Sequence, residues 1–400
     1  MNSPLKVLQI VPSISLVYGG PSQMVRGFSQ GLAEAGVEVT IATTDSNGDV
    51  DEPPLDVPLA QPLSEEGYTV WYFRCSPWRR YKFSLGLLHW LWHRATDYDI
   101  AHIHALFSPV SSLAATILRW RGLPYLIRPL GTLDPADLQK KKQLKQIYAT
   151  VLEQPNLAGA SAIHFTSPQE AIVSERFGVK TPDVILPLGV TPLSKSGVPI
   201  NVRDRFKIPQ DRPIILFMSR LDPKKGLDLL LPALETLQQE GLDFHFLLCG
   251  ANPQDRQYEQ SIHTQIQNSP LRNRTTLTGF VSGELKVALL ETAALFVLPS
   301  YYENFGIAVA EAMLAGLPVV ISNQVYIWQD VEQGKAGWVC DCSISSLTEQ
   351  MRKALMSSEE CLQKGYNAQK FAQANYSWPA ISRQAIATYH TILSGTPLSP

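Results

Sequence analysis

Two glutamates separated by seven residues, Glu303 and Glu311, stand in the run Pro299 to Val320, among residue types that suit a ligand rich in anions and hydroxyls. Leu295–Leu298 reads as a strand, the next eight residues as a loop, Ile307–Leu314 as a helix and Val319–Ile321 as another strand. Glu303 therefore falls in a loop and Glu311 well inside a helix, so the two can address different parts of one elongated ligand. Asn304, Phe305 and Gly306 supply backbone amides at the helix start, where unsatisfied N–H groups and the helix dipole favour negative charge. A carboxylate on an otherwise apolar helix face is costly to bury without a donor, such as a pair of ribose hydroxyls. The plainer alternative is a capped amphipathic helix.

Three further groups carry possible chemistry. Ser219-Arg220-Leu221-Asp222-Pro223-Lys224-Lys225-Gly226 follows one strand and precedes a helix, which puts Arg220 and one lysine beside a helix N-terminus. Arginine can grip a phosphate with two parallel bonds, while lysine supplies a point charge; a solvated surface cluster is the alternative. Tyr18-Gly19-Gly20-Pro21 lies between the first strand and its helix, where glycine serves either a left-handed turn or the close approach of a phosphate. Asp99-Ile100-Ala101-His102-Ile103-His104 closes a strand, and the two-residue period puts both histidines on one side of the sheet. Either can be a hydrogen-bonded strand residue, and no third ligand suggests a zinc site. Finally, Trp78-Arg79-Arg80-Tyr81-Lys82-Phe83 with Trp90 and Trp92, and Lys140, Lys141, Lys142 and Lys145, could touch anionic head groups or form solvated faces.

The elements that must position these residues alternate between short apolar runs and amphipathic segments: Val7–Val11, Gln23–Ala35, Val37–Ala42, Ile100–Ile103, Leu113–Arg119 and Tyr125–Ile127. That alternation signals βαβ units around a parallel sheet. It resumes at Ile214–Met218 after a Pro-, Ser- and Gly-bearing stretch, and 400 residues exceed what one hydrophobic core organises. The expected layout is a first domain over 1–190, a linker over 191–212, a second domain over 213–375, and an amphipathic segment over 376–400 that closes the second domain or crosses back to the first. A net charge of −2 gives no general attraction to nucleic acid. Five scattered cysteines without zinc spacing suit a reduced, cytoplasmic setting. Neither a secretion signal nor a membrane-spanning run is expected. The absence of GxGxxG and Walker A patterns lowers dinucleotide and P-loop readings.

Taken together, Glu303 and Glu311 at that spacing, the S-R-x4-K-G element, the Gly19-Gly20 loop and the His-x-His strand end resemble family 4 of the retaining glycosyltransferases. The likeness covers nearly the whole chain. It implies an α/β fold of the GT-B type, two Rossmann-like domains with parallel sheets facing a central cleft, the first binding acceptor and the second a nucleotide sugar. Carried over by residue, it implies that Glu311 binds the ribose, Arg220 and Lys225 the diphosphate, and Glu303 with the Asn304, Phe305 and Gly306 amides the donor sugar. Gly19 and Gly20 would approach the phosphates, His104 would lie against the transferred sugar, and Gly279-Phe280-Val281 would cradle the base. Relatives often have Asn-Gly where this chain has Leu188-Gly189, so that asparagine's contact is not carried over. The resemblance further implies no cofactor and no metal, only a nucleotide-sugar co-substrate with UDP favoured. It implies a saccharide or lipid-linked acceptor; net charge speaks against nucleic acid, the cysteines suit the cytoplasm, and the basic, aromatic segments give scope for peripheral contact at the inner membrane face. A non-hydrolysing nucleotide-sugar epimerase of the same fold and a non-catalytic binding scaffold are the competing readings.

Overall fold

The computed structural model describes residues 3–48, 51–77, 79–134, 146–191 and 200–398. Trp78, the lysines at 140, 141, 142 and 145, and positions 192–199 of the expected linker lie outside them. The chain divides into two compact units, Met1–Gly189 with Trp378–Pro400, and Val190–Ser377.

The first unit is built on strands β1 (Lys6–Ile10), β2 (Glu38–Thr44), β3 (Pro62–Glu65), β4 (Tyr68–Phe73), β5 (Ile100–His104), β6 (Tyr125–Arg128), β7 (Ala162–Phe165) and β8 (Asp183–Ile185). They form one sheet in the order β3-β4-β2-β1-β5-β6-β7-β8. Every pairing is parallel except β3 with β4. Residues of β5, β6 and β7 are buried throughout, as in strands covered on both faces. The β3–β4 hairpin was not part of the sequence reading. Its two turn residues, Glu66 and Gly67, both have positive φ (41° and 88°), the conformation a tight hairpin needs.

The helix Trp378–Leu393 belongs to this unit, packed on the helix Gly20–Glu34 that follows β1. Small residues make room for it. A Cβ at Gly27 would lie 2.4 Å from the Trp378 ring, and one at Gly189 only 2.1 Å away. Gly189 thus serves tryptophan packing.

The second unit has strands β9 (Ile214–Met218), β10 (His245–Cys249), β11 (Thr275–Gly279), β12 (Leu295–Leu298), β13 (Val319–Ser322) and β14 (Gly337–Cys340). All pairings are parallel, in the order β11-β10-β9-β12-β13-β14. In chain order this is 3-2-1-4-5-6, the doubly wound pattern whose strand order reverses beside the first strand. The reversal lies between β9 and β12, and in the first unit between β1 and β5. Ligands of open α/β sheets bind outside the carboxyl ends of the strands at such points.

Candidate active site

The loops leaving β9 and β12 carry the charged residues singled out in the sequence. Their approach depends on Gly226, which has φ +71° and would, with a Cβ, place that carbon 2.1 Å from the Pro299 carbonyl oxygen. With the loops this close, the Tyr301 N–H donates to the Lys224 carbonyl at 2.8 Å. The same geometry pairs the Lys225 ammonium with the Glu303 carboxylate. Lys225 is buried and Glu303 is partly exposed, so the pair has one face toward solvent. Arg220 is half-exposed, its guanidinium 3.4 Å from Asp222. Asp222 also caps the turn at Pro223 by accepting from the Lys224 N–H at 3.1 Å. Burial lowers the Lys224 pKa, and the Lys225 charge adds to the effect. Three cations, Arg220, Lys224 and Lys225, against two carboxylates, Asp222 and Glu303, form a site that favours added negative charge.

Glu303 is held by its backbone as well. Its N–H donates to the Gln324 carbonyl, and its carbonyl accepts from the Tyr326 N–H, both at 3.0 Å. Gly306, with φ +81°, caps the helix Ile307–Leu314 without a side chain at its mouth. Phe305 is buried against Tyr376 with ring centroids 5.3 Å apart, so only its backbone is available to a ligand. Glu311, on that helix, accepts from the Lys286 ammonium at 2.6 Å. The sequence reading gave this carboxylate ribose hydroxyls as its compensating donors; in the structure the donor is Lys286. The Gly279 carbonyl is occupied by the Gly250 N–H at 2.8 Å, Phe280 is exposed, and Val281 is buried.

The first unit's site is of another kind. Gly19 has φ +67° and ψ −130°, and a Cβ there would meet nothing within 4 Å. The turn itself, not crowding, requires glycine, and the position is open. Gly20 begins the helix after it. His102 and His104 project from the same side of β5 with rings stacked 4.8 Å apart, and both are fully buried. Burial keeps them neutral: the His102 pKa falls to about 3, with the Arg128 charge assisting, and that of His104 falls well below its ordinary value.

Neutrality fixes a directional chain. His164 donates from Nε2 to the Leu186 carbonyl at 2.8 Å, so its Nδ1 accepts from His102 Nε2 at 2.9 Å. His102 Nδ1 then accepts from the Tyr389 hydroxyl at 2.9 Å. His104 donates from Nε2 to the Gln9 amide oxygen at 2.6 Å, which leaves Nδ1 as a buried acceptor with no partner among the described residues.

Arg220, Lys225, Glu303, Glu311 and the Asn304–Gly306 backbone thus stand around the β9–β12 reversal, with Gly279–Val281 following β11. Gly19, Gly20 and His104 stand around the β1–β5 reversal. The sequence reading missed Lys286, Gln9, His164 and Tyr389. It found no third group near the two histidines, yet His164 touches His102. Its ring nitrogen is spent on that hydrogen bond. For Lys286 a signal existed: a partly buried Glu311 on an apolar helix asks for a cation, and Lys286 is the one cation of the helix Gly283–Thr292.

The family model of the glycosyl transferases group 1 matches residues 200–371, and that of the glycosyl transferase 4-like domain matches residues 19–189. Alpha-D-kanosaminyltransferase of Streptomyces kanamyceticus is 29% identical over 192 residues, 48% of each chain. The chain spans about half the length of the first curated relatives it matches. Among solved structures, sucrose-phosphate synthase of Thermosynechococcus elongatus shares the fold with a TM-score of 0.73 and 21% identity, over 98% of this chain and all of that one. An Anabaena protein, HepE, solved in complex with UDP and glucose, has a TM-score of 0.70 and 18% identity, over 97% of this chain and all of that one. With both reversal points assembled as described and both halves matched, the chain belongs to the family 4, group 1 glycosyltransferases and has the GT-B fold.

Proposed function

We propose that this protein is a retaining, metal-independent hexosyltransferase. It moves a sugar from a nucleotide sugar, a UDP-sugar in the first instance, to a saccharide or lipid-linked saccharide acceptor. The observation that carries this reading is the Lys225–Glu303 pair, clamped by the Gly226–Pro299 contact next to Arg220 and the Gly306-capped helix. When the bond from the anomeric carbon to the diphosphate breaks, its electron pair and the negative charge move to the departing phosphate oxygen. Fixed cations and helix amides stabilise that charge where a divalent metal acts in other enzymes. The acceptor hydroxyl attacks on the face the diphosphate leaves and gives its proton to the departing oxygen, so configuration is retained without a nucleophilic side chain.

Glu311 would take the ribose hydroxyls, exchanging part of its bond to Lys286 for them. His104 Nδ1, a neutral and buried acceptor with no partner among the described residues, would accept from a hydroxyl of the transferred sugar once its cover opens. UDP as the nucleotide is supported by the likeness to the Anabaena protein solved with UDP and glucose. A cytoplasmic location, with peripheral contact at the inner membrane face, completes the reading; no helix among the described residues is long and apolar enough to cross a membrane.

The test is transfer from UDP-glucose to a panel of saccharides, with the anomeric configuration of the product read by NMR and the assay repeated in excess EDTA. Retention at an undiminished rate under chelation is expected. An inverted product, or activity abolished by EDTA and restored by manganese, would refute the mechanism. A new sugar epimer formed from donor alone would favour the epimerase reading instead.

A further inference from the structure

In the first unit, the loops leaving β1, β2 and β4 enclose a cavity of about 500 Å³ lined by Tyr18, Ser46, Gly48, Asp51, Arg79, Arg80 and Lys82. All three loops leave the carboxyl edge of the sheet, the edge at which ligands of such sheets bind. Among the described residues the lining sets three cations against one carboxylate. Arg79 donates to the Glu52 carbonyl, but among the described residues no carboxylate lies within ion-pair distance of Arg80 or Lys82.

Lys82 is held there at a cost. Its backbone has φ +51°, a left-handed conformation that a long side chain rarely adopts. Its ammonium sits 3.5 Å from the centre of the Tyr18 ring. Burial lowers its pKa, so the ammonium has lost hydration and gains from a nearby anion. Tyr18 is fixed in turn, donating to the Gly48 carbonyl at 2.8 Å and lying 2.9 Å from the Ser46 hydroxyl. With the Tyr18 proton given to Gly48 and the Ser46 proton to Tyr18, the donors left for a ligand are those of the three cations. The proposed cations for the donor's diphosphate lie in the second unit, and apart from Tyr18, which follows β1, the cavity's lining comes from the loops after β2 and β4, on the other side of β1 from β5.

We propose that this cavity binds a phosphate group carried by the acceptor, which makes the acceptor a phosphorylated or phosphate-linked saccharide and not a neutral sugar. The word acceptor rests on the transferase reading; the phosphate site does not. Two sources present the same chemistry, a soluble sugar phosphate and a lipid-linked phosphate.

Calorimetry on the full chain separates them. A Lys225→Ala background disables the second unit's cation site. The probes are glucose, glucose 1-phosphate and glucose 6-phosphate, and phosphatidylcholine vesicles with and without phosphatidic acid, which are followed by co-sedimentation. At least one phosphate probe should bind, weaken about tenfold or more in Arg80→Ala/Lys82→Ala, and keep most of its affinity in Arg80→Lys/Lys82→Arg. Binding of a glucose phosphate assigns a soluble acceptor, and binding of the phosphatidate vesicles alone assigns a lipid-linked one. The proposal is overturned if no phosphate probe binds, or if the alanine pair binds as tightly as its parent. UDP affinity, measured with Lys225 intact, should be unchanged by the alanine pair. A parallel loss would place the cavity in the donor site and overturn the proposal while leaving the transferase reading standing. If UDP bound to none of these proteins, the transferase reading would fall and the phosphate probes would still judge the cavity.

Discussion

The two strand-order reversals use opposite electrostatics on the same architecture. Around β9 and β12 the side chains are charged, paired and partly open to solvent: Lys225 with Glu303, Lys286 with Glu311, and Arg220 half-exposed beside Asp222. Around β1 and β5 the histidines are neutral, with His102, His104 and His164 buried and hydrogen-bonded in a fixed direction beside the buried Arg128 guanidinium. A charged site can exchange an internal ion pair for a ligand's phosphate or hydroxyls at little net cost. A neutral one cannot gain charge without desolvation, so it contributes shape and single hydrogen bonds. In the proposed mechanism the second unit meets the charge of the leaving group while the first orients what is transferred.

Removing the charged half's central cation should break this comparison most severely. Lys225→Ala is expected to slow transfer by about 10²–10³ and to weaken nucleotide diphosphate binding, because the leaving group's charge loses a preorganised partner. Since the substitution also strands Glu303, Lys225→Ala/Glu303→Gln is the control; steady-state kinetics and calorimetry should show at least as large a loss in it. Binding and rate equal to wild type would place the leaving-group site elsewhere. Next in size is His104→Ala. His104 is itself neutral and lies in the other unit from Arg220, Lys225, Glu303 and Glu311, so nucleotide affinity should stay within a few-fold while most transfer is lost. A fully active variant would make His104 a strand-end residue held by Gln9 and nothing more.

Glu311 tests the charged side more gently. Glu311→Ala should raise the dissociation constant for the nucleotide about tenfold, roughly 1.4 kcal/mol, the scale of one charge-assisted hydrogen bond. Lys286→Ala should have a smaller effect, since a ligand would take over part of its role. Equal affinity for wild type and both variants in calorimetry would remove Glu311 from the site.

What could be read in advance follows the same division. The loop–helix–strand run around Glu303 and Glu311 is local, bounded by Gly306 before Ile307–Leu314 and by Gly316 and Pro318 after it, so its limits are written in consecutive residues. Both series of βαβ units were legible for the same reason, as apolar runs of strand length. Partners far apart in sequence were not legible. Lys286 meets Glu311 from a different helix, and His164 reaches His102 through the β5-β6-β7 order of the sheet. The place of the last helix depended on three glycines, Gly27, Gly31 and Gly189, whose common feature is space for Trp378 and Ser382. The β3–β4 hairpin was hidden because Glu66-Gly67 is a weaker turn signal than Asn-Gly or Asp-Gly.

The smallest effect expected is on the neutral side, and it concerns stability. Tyr389→Phe removes the hydroxyl that donates to His102 Nδ1 and leaves a buried acceptor unpaired, at a cost of about 1 kcal/mol or somewhat more, while transfer continues. The tyrosine stands on the helix Trp378–Leu393, so the loss should appear as a lowered melting temperature and faster amide exchange in that helix. Acid titration checks the origin of the effect. His102 stays neutral in the folded chain down to about pH 3 but protonates near 6.5 once exposed. Above pH 6.5 its burial therefore costs nothing in proton binding. As pH falls from 6.5 toward 3 the unfolded state binds the extra proton, and His102 alone removes about 1.4 kcal/mol of stability per pH unit. His164 and His104, whose pKa values burial also lowers, act in the same direction. Denaturant unfolding of wild type and His102→Phe between pH 7 and 4 should show a shallower decline in the variant, whatever its stability at pH 7. Parallel curves would mean that His102 is already charged in the fold, and the contrast between a charged and a neutral reversal point would be lost.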